Sequence, residues 1–329
     1  MNTLLFSTDT PECLALAVER ATHFLEAGLP VALPTETVYG LAADATRPDA
    51  VLKIFEAKER PFFDPLIVHL PGLEWLDRLT AVPCEDKGLV DQLTARFWPG
   101  PLTLVLPRRD VVPDMVASGL PTVALRMSAH PVFRAVVSAF GRPLAAPSAN
   151  RFGRISPTAA SHVMTELSGR IPLVVDGGAT LHGVESTIVA VAGGLLEILR
   201  SGPVTREELM EFGEVTAPGV VAKPVAPGQL KSHYAPRTPL QIISNPRPFP
   251  GKRCGLLAWG NPSGGFDRVE QLSASGDLRE AATRLFAAMR RLDEAGLDLI
   301  LVEPMPETGL GVAIMDRLRK AAHDYLPVA

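Results

Sequence analysis

Apolar positions recur three and four residues apart from Leu14 through Ala17, Val18 and Ala21 to Leu25. That is the spacing of one helix face. Thr10 stands as a cap before Pro11, and Gly28 follows as a stop, so a helix is predicted here. The pattern then shortens. VALP at 31–34 reads as a strand that runs into the polar loop Thr35-Glu36-Thr37. A helix over 49–58 follows, with Val51, Leu52, Ile54 and Phe55 apolar, and Pro61 ends it soon after. PLIVHL (65–70), LTLVLP (102–107), TVALRM (122–127), PLAAP (143–147), PLVVD (172–176) and STIVAV (186–191) are rich in Val, Ile and Leu and predict strands. Helices fit between several of them, at 88–97, 131–140 and 157–168, and Thr205 with Glu208 forms a capping-box pattern. The alternation predicts an α/β domain with a mixed sheet.

From Gly213 to Pro239 the periodicity stops. This stretch holds five prolines and three glycines. It reads as a linker, since such a composition cannot pack a core of its own. The polar cluster Lys231-Ser232-His233-Tyr234 is odd for a spacer. A second α/β pattern then begins. CGLLAW (254–259) reads as a strand, and Asp277 with Glu280 caps a helix carrying Ala281, Leu285, Ala288, Met289 and Leu292, which Gly296 stops. LDLILVE (297–303) is another strand, followed by a glycine-containing turn and a helix over 311–322. The expected organisation is a domain over 1–212, a proline-rich linker over 213–239, and a smaller βαβα domain, Rossmann-like in pattern, over 240–329.

Length and charge narrow the picture. At 329 residues the chain suits two domains. Its 32 Lys and Arg against 36 Asp and Glu give a net charge of −4, which argues against a protein living by non-specific nucleic-acid binding. Any anion site must be a local cluster. The 31 prolines are about twice the usual frequency, and they concentrate where the pattern breaks. Cys13, Cys84 and Cys254 stand apart with no CxxC pair, so reduced thiols in a cytoplasm are expected. The N-terminus lacks the basic start of a signal peptide, and no apolar run approaches the ~18 residues of a membrane span.

No GxxxxGK[ST], HExxH or GxSxG occurs, and Gly309-Leu310-Gly311 lacks the third glycine of a dinucleotide fingerprint. The chemistry must lie elsewhere. Lys58 and Arg60 close the helix after the Thr35–Thr37 loop. They are either cations placed at a helix C-terminus or a phosphate clamp aimed by the bend Pro61–Pro65. Ser148 and Asn150 follow the strand PLAAP, where strand alternation would put both on one side, in a turn or at a ligand crevice. His69 ends an apolar strand, where a lone histidine is more often a satisfied, partly buried residue. Arg126 also sits on an apolar strand and needs an anion, supplied by a distant carboxylate or by a ligand. Asp176-Gly177-Gly178 and Arg200-Ser201-Gly202-Pro203 read as turns, and Glu185-Ser186-Thr187 opens the next strand. Cations and hydroxyls thus gather at the strand ends of one domain. That pattern suits an anionic ligand held by positioning and electrostatics, as in phosphoryl or nucleotidyl transfer, which needs no nucleophile–base pair.

Read in order, LPTETVYGLAADA (33–45), KIFEAKERP (53–61), PLIVHL, WPGPLTLVL (98–106), TVALRM, APSAN (146–150), DGG and GVESTIV (183–189) resemble the threonylcarbamoyl-AMP synthases. LKSHYAP (230–236) and GLGVAIMDRLRKA (309–321) resemble the two-domain form of that family. The resemblance implies a twisted mixed-sheet catalytic domain with a large basic cavity. It implies synthesis of L-threonylcarbamoyladenylate and pyrophosphate from L-threonine, bicarbonate and ATP, with Mg²⁺ accompanying the nucleotide. A partner transferase would then pass the threonylcarbamoyl group to the adenosine beside the anticodon of tRNAs reading codons that begin with A.

Carried over position by position, Thr37, His69, Arg126, Ala146 and Ser186 would surround L-threonine. Lys58 and Arg60 would act as the catalytic cations. Arg60, Asp64, Thr122, Ser148, Asn150, Ser156, Arg200 and Tyr234 would hold ATP, with the linker folding over the nucleotide as a lid. Asp64 stands where many relatives have Asn, and a carboxylate there would repel a triphosphate unless it helps hold Mg²⁺. Asp316 also replaces a common Asn, far from the expected chemistry and with no role attached. Rival readings are an RNA-binding module of the same fold, a carbamoyl transferase of hydrogenase maturation and a regulatory nucleotide sensor. The net charge argues against the first and against a direct grip on tRNA. The scattered cysteines argue against the second.

Overall fold

The computed structural model describes residues 2–216, 225–230, 232–262 and 264–322. Eleven strands form the first sheet among them: β1 (Leu4–Ser7), β2 (Val31–Leu33), β3 (Gly40–Asp44), β4 (Ile67–His69), β5 (Leu102–Pro107), β6 (Thr122–Arg126), β7 (Leu144–Ala145), β8 (Leu173–Asp176), β9 (Thr187–Ala192), β10 (Leu195–Arg200) and β11 (Val215–Thr216). Their order is β1-β8-β2-β3-β7-β4-β6-β5-β9-β10-β11, with parallel and antiparallel pairs mixed. Each of the six apolar runs contains a strand of this sheet. β3 escapes a propensity reading because GLAAD holds no β-branched or aromatic residue. Its pairing with β2 and β7 fixes it instead. β1 escapes because it lies at the sheet edge with mostly exposed side chains.

The helices of this part are α1 (Pro11–Glu26), α2 (Pro48–Lys58), α3 (Glu74–Leu79), α4 (Cys84–Phe97), α5 (Asp114–Ala117), α6 (Pro131–Phe140), α7 (Ala160–Leu167) and α8 (Arg206–Leu209). Thr10 caps α1 through the Cys13 amide, and Thr205 and Glu208 form a reciprocal capping box on α8. Two boundaries differ from expectation. α4 starts at Cys84 rather than 88, behind Pro83 and with acids in its first turn. α7 starts at Ala160 rather than 157, because the Pro157 carbonyl accepts from the Tyr39 amide and holds the chain out of the helix.

The second sheet is all parallel, with β12 (Leu240–Ile242), β13 (Cys254–Ala258), β14 (Arg268–Gln271) and β15 (Leu299–Val302) in the order β12-β15-β13-β14. α9 (Leu278–Asp293) and α10 (Leu310–Ala322) complete it. It is thus larger than a bare βαβα unit. Asp277 caps α9 as expected, but Glu280 does not reach back to the cap amide. Ser273 stands between, accepting from the Asp277 amide and donating to the Glu280 carboxylate.

The segment read as a linker needs correcting. Val215 and Thr216 belong to the first sheet. Ala226 is buried against Ile67, Val105, Ala124, Ile188 and Leu199, on one face of that sheet. The segment's described residues 225–230 have no apolar period of their own because they pack, in turns and bends, as a strap on a face other elements have built. Lys231 of its polar cluster lies outside the described residues. Val38, Ile155, Val184 and Tyr234 share one core with Leu285, Phe286, Met289 and Leu318 of α9 and α10, so the second domain is docked through buried apolar surface.

Candidate functional site

The cleft begins at the end of β2. Thr35 Oγ1 accepts from the amides of Thr37 and Val38 and donates to the Val38 carbonyl, a hydroxyl-made turn. The turn presents Glu36 and Thr37 to Arg126, the last residue of β6. Arg126 Nη2 donates to Glu36 Oε1 at 2.6 Å, Nη1 to Thr37 Oγ1 at 3.0 Å and Nε to the Gly100 carbonyl at 3.1 Å. The question left open by sequence is answered here: the anion beside Arg126 is the carboxylate of Glu36, 90 residues away in the chain. Ser128 donates to the other Glu36 oxygen. Burial pushes the Glu36 carboxyl up, but the Arg126 charge and the Ser128 and Arg126 hydrogen bonds outweigh it and hold the group at about 2.

Parallel pairing of β4 with β6 sets His69 opposite Arg126. His69 is buried against Phe133, with ring centroids 4.6 Å apart. Its Nδ1 has no hydrogen-bond partner among the described residues, so it is not the satisfied histidine of the ordinary reading. Burial, with the nearby Arg126 charge, lowers its pKa to about 3, so the ring is neutral at pH 7. Ser186 Oγ shares a hydrogen bond with Thr103 Oγ1 at 2.8 Å and accepts from Arg200 Nη2 at 3.0 Å.

The other end of the cleft is made by separate segments. The C-cap of α2, Glu59, has a left-handed backbone with φ 55°, which turns the chain sharply toward Arg60. Arg60 donates to the carbonyls of Asp64 and Pro65, and its Nη2 lies 2.9 Å from Asp64 Oδ2. Beyond this ion pair, neither carboxylate oxygen of Asp64 has a hydrogen-bond donor among the described residues, although the residue is fully buried. Burial raises the Asp64 pKa against the Arg60 and Lys58 charges. Lys58 is buried, and its Nζ donates to the carbonyls of Ser148 and Asn150. Desolvation, with the Arg60 charge beside it, moves its pKa well below the usual lysine range.

Arg200 donates to the Ser186 carbonyl and hydroxyl, and toward the Pro227 carbonyl in the strap. Gly228 in the strap has φ 83°, and a Cβ there would sit 3.0 Å from Arg200 Cδ and 3.1 Å from Tyr234 Oη. The site therefore needs glycine at that position. Tyr234 is buried with φ 64°, a backbone that a bulky residue rarely takes. Its ring stacks on Phe286 of α9 at 5.4 Å.

Of the residues singled out by sequence, Thr37, Arg60, His69, Arg126, Ala146, Ser148, Ser186, Arg200 and Tyr234 all line this one cleft. Lys58, Asp64, Thr122, Asn150 and Ser156 do not line it. Strand alternation past PLAAP fails, since β7 ends at Ala145. Ser148 faces the cleft, while Asn150 turns its amide to the carbonyls of Arg151 and Arg154. Thr122 starts β6, opposite Pro107 and at the far end of that strand from Arg126.

Sequence reading missed three groups. Glu36 was legible as the nearest acid to Thr37. Glu185 lines the cleft, accepting from Ser156 Oγ at 2.5 Å and from Arg317 Nε at 3.0 Å. Arg317 on α10 belongs to the second domain and is fully buried. Asp316 is therefore not remote: it accepts from Arg317 Nη1 at 2.9 Å, one residue from the cleft's own ion pair. Among the described residues no three His, Cys, Asp or Glu side chains group as a metal site, and no helix is long and apolar enough to cross a membrane.

Two family models match the chain: one described as "Telomere recombination" over residues 23–202, and "Threonylcarbamoyl-AMP synthase, C-terminal domain" over 204–323. A threonylcarbamoyl-AMP synthase of Pyrococcus abyssi is 41% identical over 322 residues, covering 92% of this chain and 93% of the relative. One of Bacillus subtilis is 41% identical over 334 residues, covering 96% and 94%. The crystal structure of P. abyssi Sua5 complexed with L-threonine superposes with a TM-score of 0.90 at 38% identity and covers 98% of each chain.

Proposed function

The chain belongs to the threonylcarbamoyl-AMP synthase family, and from that premise we propose a division of its cleft into an L-threonine half and an ATP half. The activity is that of its relatives: L-threonine, bicarbonate and ATP are joined into L-threonylcarbamoyladenylate and pyrophosphate. The observation that carries the division is the gathering of Arg60, Arg126 and Arg200 in one cleft with neutral His69, Ser186 and the aromatic Tyr234.

Arg126, Thr37, His69, Ser186 and the backbone at Ala146 receive L-threonine, the ligand named in the related P. abyssi structure. Arg126 has five N–H donors, of which Glu36, Thr37 and Gly100 engage three, so it can still receive a carboxylate. Glu36 keeps the guanidinium flat against the turn. Neutral His69 adds a polar contact without a second charge.

The threonine amine adds to CO₂ derived from bicarbonate, releasing water overall and giving a carbamate. A carbamate oxygen then attacks the α-phosphorus of ATP in line. The new O–P bond forms as the bond to the β-phosphate oxygen breaks, and pyrophosphate leaves. Arg60 and Arg200 face the phosphates and stabilise charge as it moves to the leaving group. Lys58 shapes this half by fixing the Ser148 and Asn150 carbonyls. The strap, through Gly228 and Tyr234, acts as a lid that keeps water from the carbamate and the mixed anhydride. Asn150, Ser156 and Thr122 are further nucleotide contacts on this reading, and they require the cleft to rearrange around ATP.

Mg²⁺ suits this half. Asp64 lies outside the cleft lining but 2.9 Å from Arg60 Nη2, which lines it, so its single carboxylate could take Mg²⁺ beside substrate phosphates only if Arg60 moves over to the phosphates. Asp64 would hold it, and the ion when bound would neutralise phosphate charge. The product passes to a transferase that modifies the adenosine next to the anticodon in tRNA. Three free cysteines fit a reducing cytoplasm. Mass spectrometry of the product from ATP, L-threonine and ¹³C-bicarbonate tests the activity. The expected result is labelled threonylcarbamoyladenylate, with pyrophosphate release that needs both co-substrates. Equal pyrophosphate release without threonine would sink it.

A further inference from the structure

α10 carries a set of charges that face the first domain. Arg317 is fully buried and donates through Nε to Glu185 Oε2 at 3.0 Å and through Nη1 to Asp316 at 2.9 Å. The other Glu185 oxygen accepts from Ser156 Oγ. The Arg317 guanidinium lies 5.6 Å from the centroid of the Tyr234 ring, within cation–π reach. One turn on, Lys320 Nζ donates to Asp316 and, at 2.7 Å, to the Gly228 carbonyl of the strap. The Lys320 carbonyl accepts from the His233 amide. One helix of the second domain thus holds the cleft at Glu185 and the strap at Gly228 and His233.

A plain domain interface does not need this. Apolar packing already docks the two parts. Arg317 Nη2 has no acceptor among the described residues, a costly state for a side chain that serves only as a strut. We propose that Arg317 and Lys320 are positioning residues of the synthase reaction, through which the second domain sets the ATP half of the cleft while leaving the L-threonine half to the first domain. Arg317 fixes the Glu185 carboxylate, which orients Ser156, and it backs the face of Tyr234. Lys320 fixes the strap at Gly228, where Arg200 and Tyr234 meet. Of the threonine half, Glu36, Thr37, His69, Arg126, Ala146 and Ser186 receive no hydrogen bond from α10 among those described, and Ser186 alone adjoins Glu185 in the chain.

The inference rests on the proposed assignment of the two halves. Its test compares Arg317→Met, Arg317→Lys and Lys320→Met with wild type. The readouts are KM for ATP, KM for L-threonine, kcat, thermal melting and calorimetric binding of a non-hydrolysable ATP analogue. Arg317→Met keeps the aliphatic stem and should raise KM for ATP at least tenfold, with KM for L-threonine within twofold of wild type. Arg317→Lys should fall between, since an amine reaches Glu185 but cannot bridge to Asp316 as a planar fork does. Lys320→Met should shift KM for ATP about threefold in the same direction. A merely structural strut would lower melting temperature and active fraction and leave both KM values unchanged, and that result overturns the proposal. Should Arg317→Met fail to fold, folded Lys320→Met with wild-type affinity for the ATP analogue overturns it equally. Calorimetry needs no turnover, so a wild-type protein that binds the analogue but makes no adenylate would refute the proposed activity separately.

Discussion

The two ends of the cleft are built on different principles. The Arg126 end is a rigid corner of one sheet. β4, β6 and the turn after β2 supply its residues, every strand is held by ladder hydrogen bonds, and its charge pair is closed at 2.6 Å. The Arg60 end is assembled from an α2 cap, the strap, the loop before β9 and a helix of the second domain. Its parts include two residues with left-handed backbone, Glu59 and Tyr234, and a buried carboxylate whose partner among the described residues is the Arg60 charge. The difference teaches where adaptation lies. On the proposed division, a small amino acid meets a preset pocket, and a long flexible triphosphate meets parts drawn from separate segments.

The sharpest way to break the comparison is at Arg60. Arg60→Ala should lower kcat/KM about 10²–10³-fold, the usual loss when a positioned charge on a developing anion is removed. Calorimetric L-threonine binding should remain within twofold. Loss of threonine binding alongside activity would show that the two ends are one cooperative unit and would dissolve the division.

Glu36→Gln strikes the rigid end and should act on stability first. The Glu36 carboxyl is displaced from an ordinary 4.5 to about 2, which is worth about 3 kcal/mol. Its folded-state pKa is depressed, so this contribution is complete above pH 4.5 and fades as pH falls toward 2. Urea unfolding should therefore show a gap of about 3 kcal/mol between wild type and variant at pH 7, where Arg126 is left without its anion, and a closing gap between pH 4.5 and 2. A gap that does not change with pH would mean that Glu36 acts through packing rather than charge.

Gly228→Ala probes the adaptive end with less force. Both the positive φ and the approach to Arg200 and Tyr234 oppose a Cβ. A strain of ~1 kcal/mol felt on closure would raise KM for ATP about fivefold to tenfold. KM for L-threonine should not move. An unchanged KM for ATP would place the strap outside the nucleotide half.

The same contrast governs what could be read from the chain. The rigid end was legible in part: His69 and Arg126 lie on apolar strands, but the Glu36 partner and the His69 Nδ1 without a partner among the described residues had to come from the fold, because pairing 90 residues apart leaves no local trace. The adaptive end was legible as motifs and not as geometry. Asn150 turns its amide away from the cleft because β7 stops at Ala145, which no periodicity signals, and Ser156 reaches the cleft only through Glu185. Arg317 was invisible as a site residue because it sits on an ordinary amphipathic helix, where a buried arginine looks like any other i, i+3 position until its partner Glu185 is seen. The strap misled in the opposite sense. Its proline content denied it a core of its own, yet Ala226 is fully buried on a sheet that others formed.

Asp64→Asn should have the smallest effect on turnover and tests the comparison at its finest point. The carboxylate is buried in an ion pair with Arg60, with no further donor to either oxygen among the described residues. Removing its charge acts in two opposite ways. Without nucleotide, Arg60 loses its only ion-pair partner among those described, so the free protein should melt earlier. With nucleotide, a negative charge no longer competes for Arg60, so metal-free ATP should bind as well as or better than in wild type. If Asp64 holds Mg²⁺, the Mg²⁺ concentration for half-maximal activity should rise about threefold to tenfold, and bound Mn²⁺ counted by electron paramagnetic resonance in the ATP-analogue complex should fall in affinity by the same factor. Unchanged Mn²⁺ affinity, with the lower melting temperature still present, would restrict Asp64 to holding Arg60 in place. The adaptive end would then owe its adjustability to a side chain that releases Arg60 when phosphate arrives, and the rigid end, whose Glu36 is paired with Arg126 at 2.6 Å and braced by Ser128, would remain its opposite.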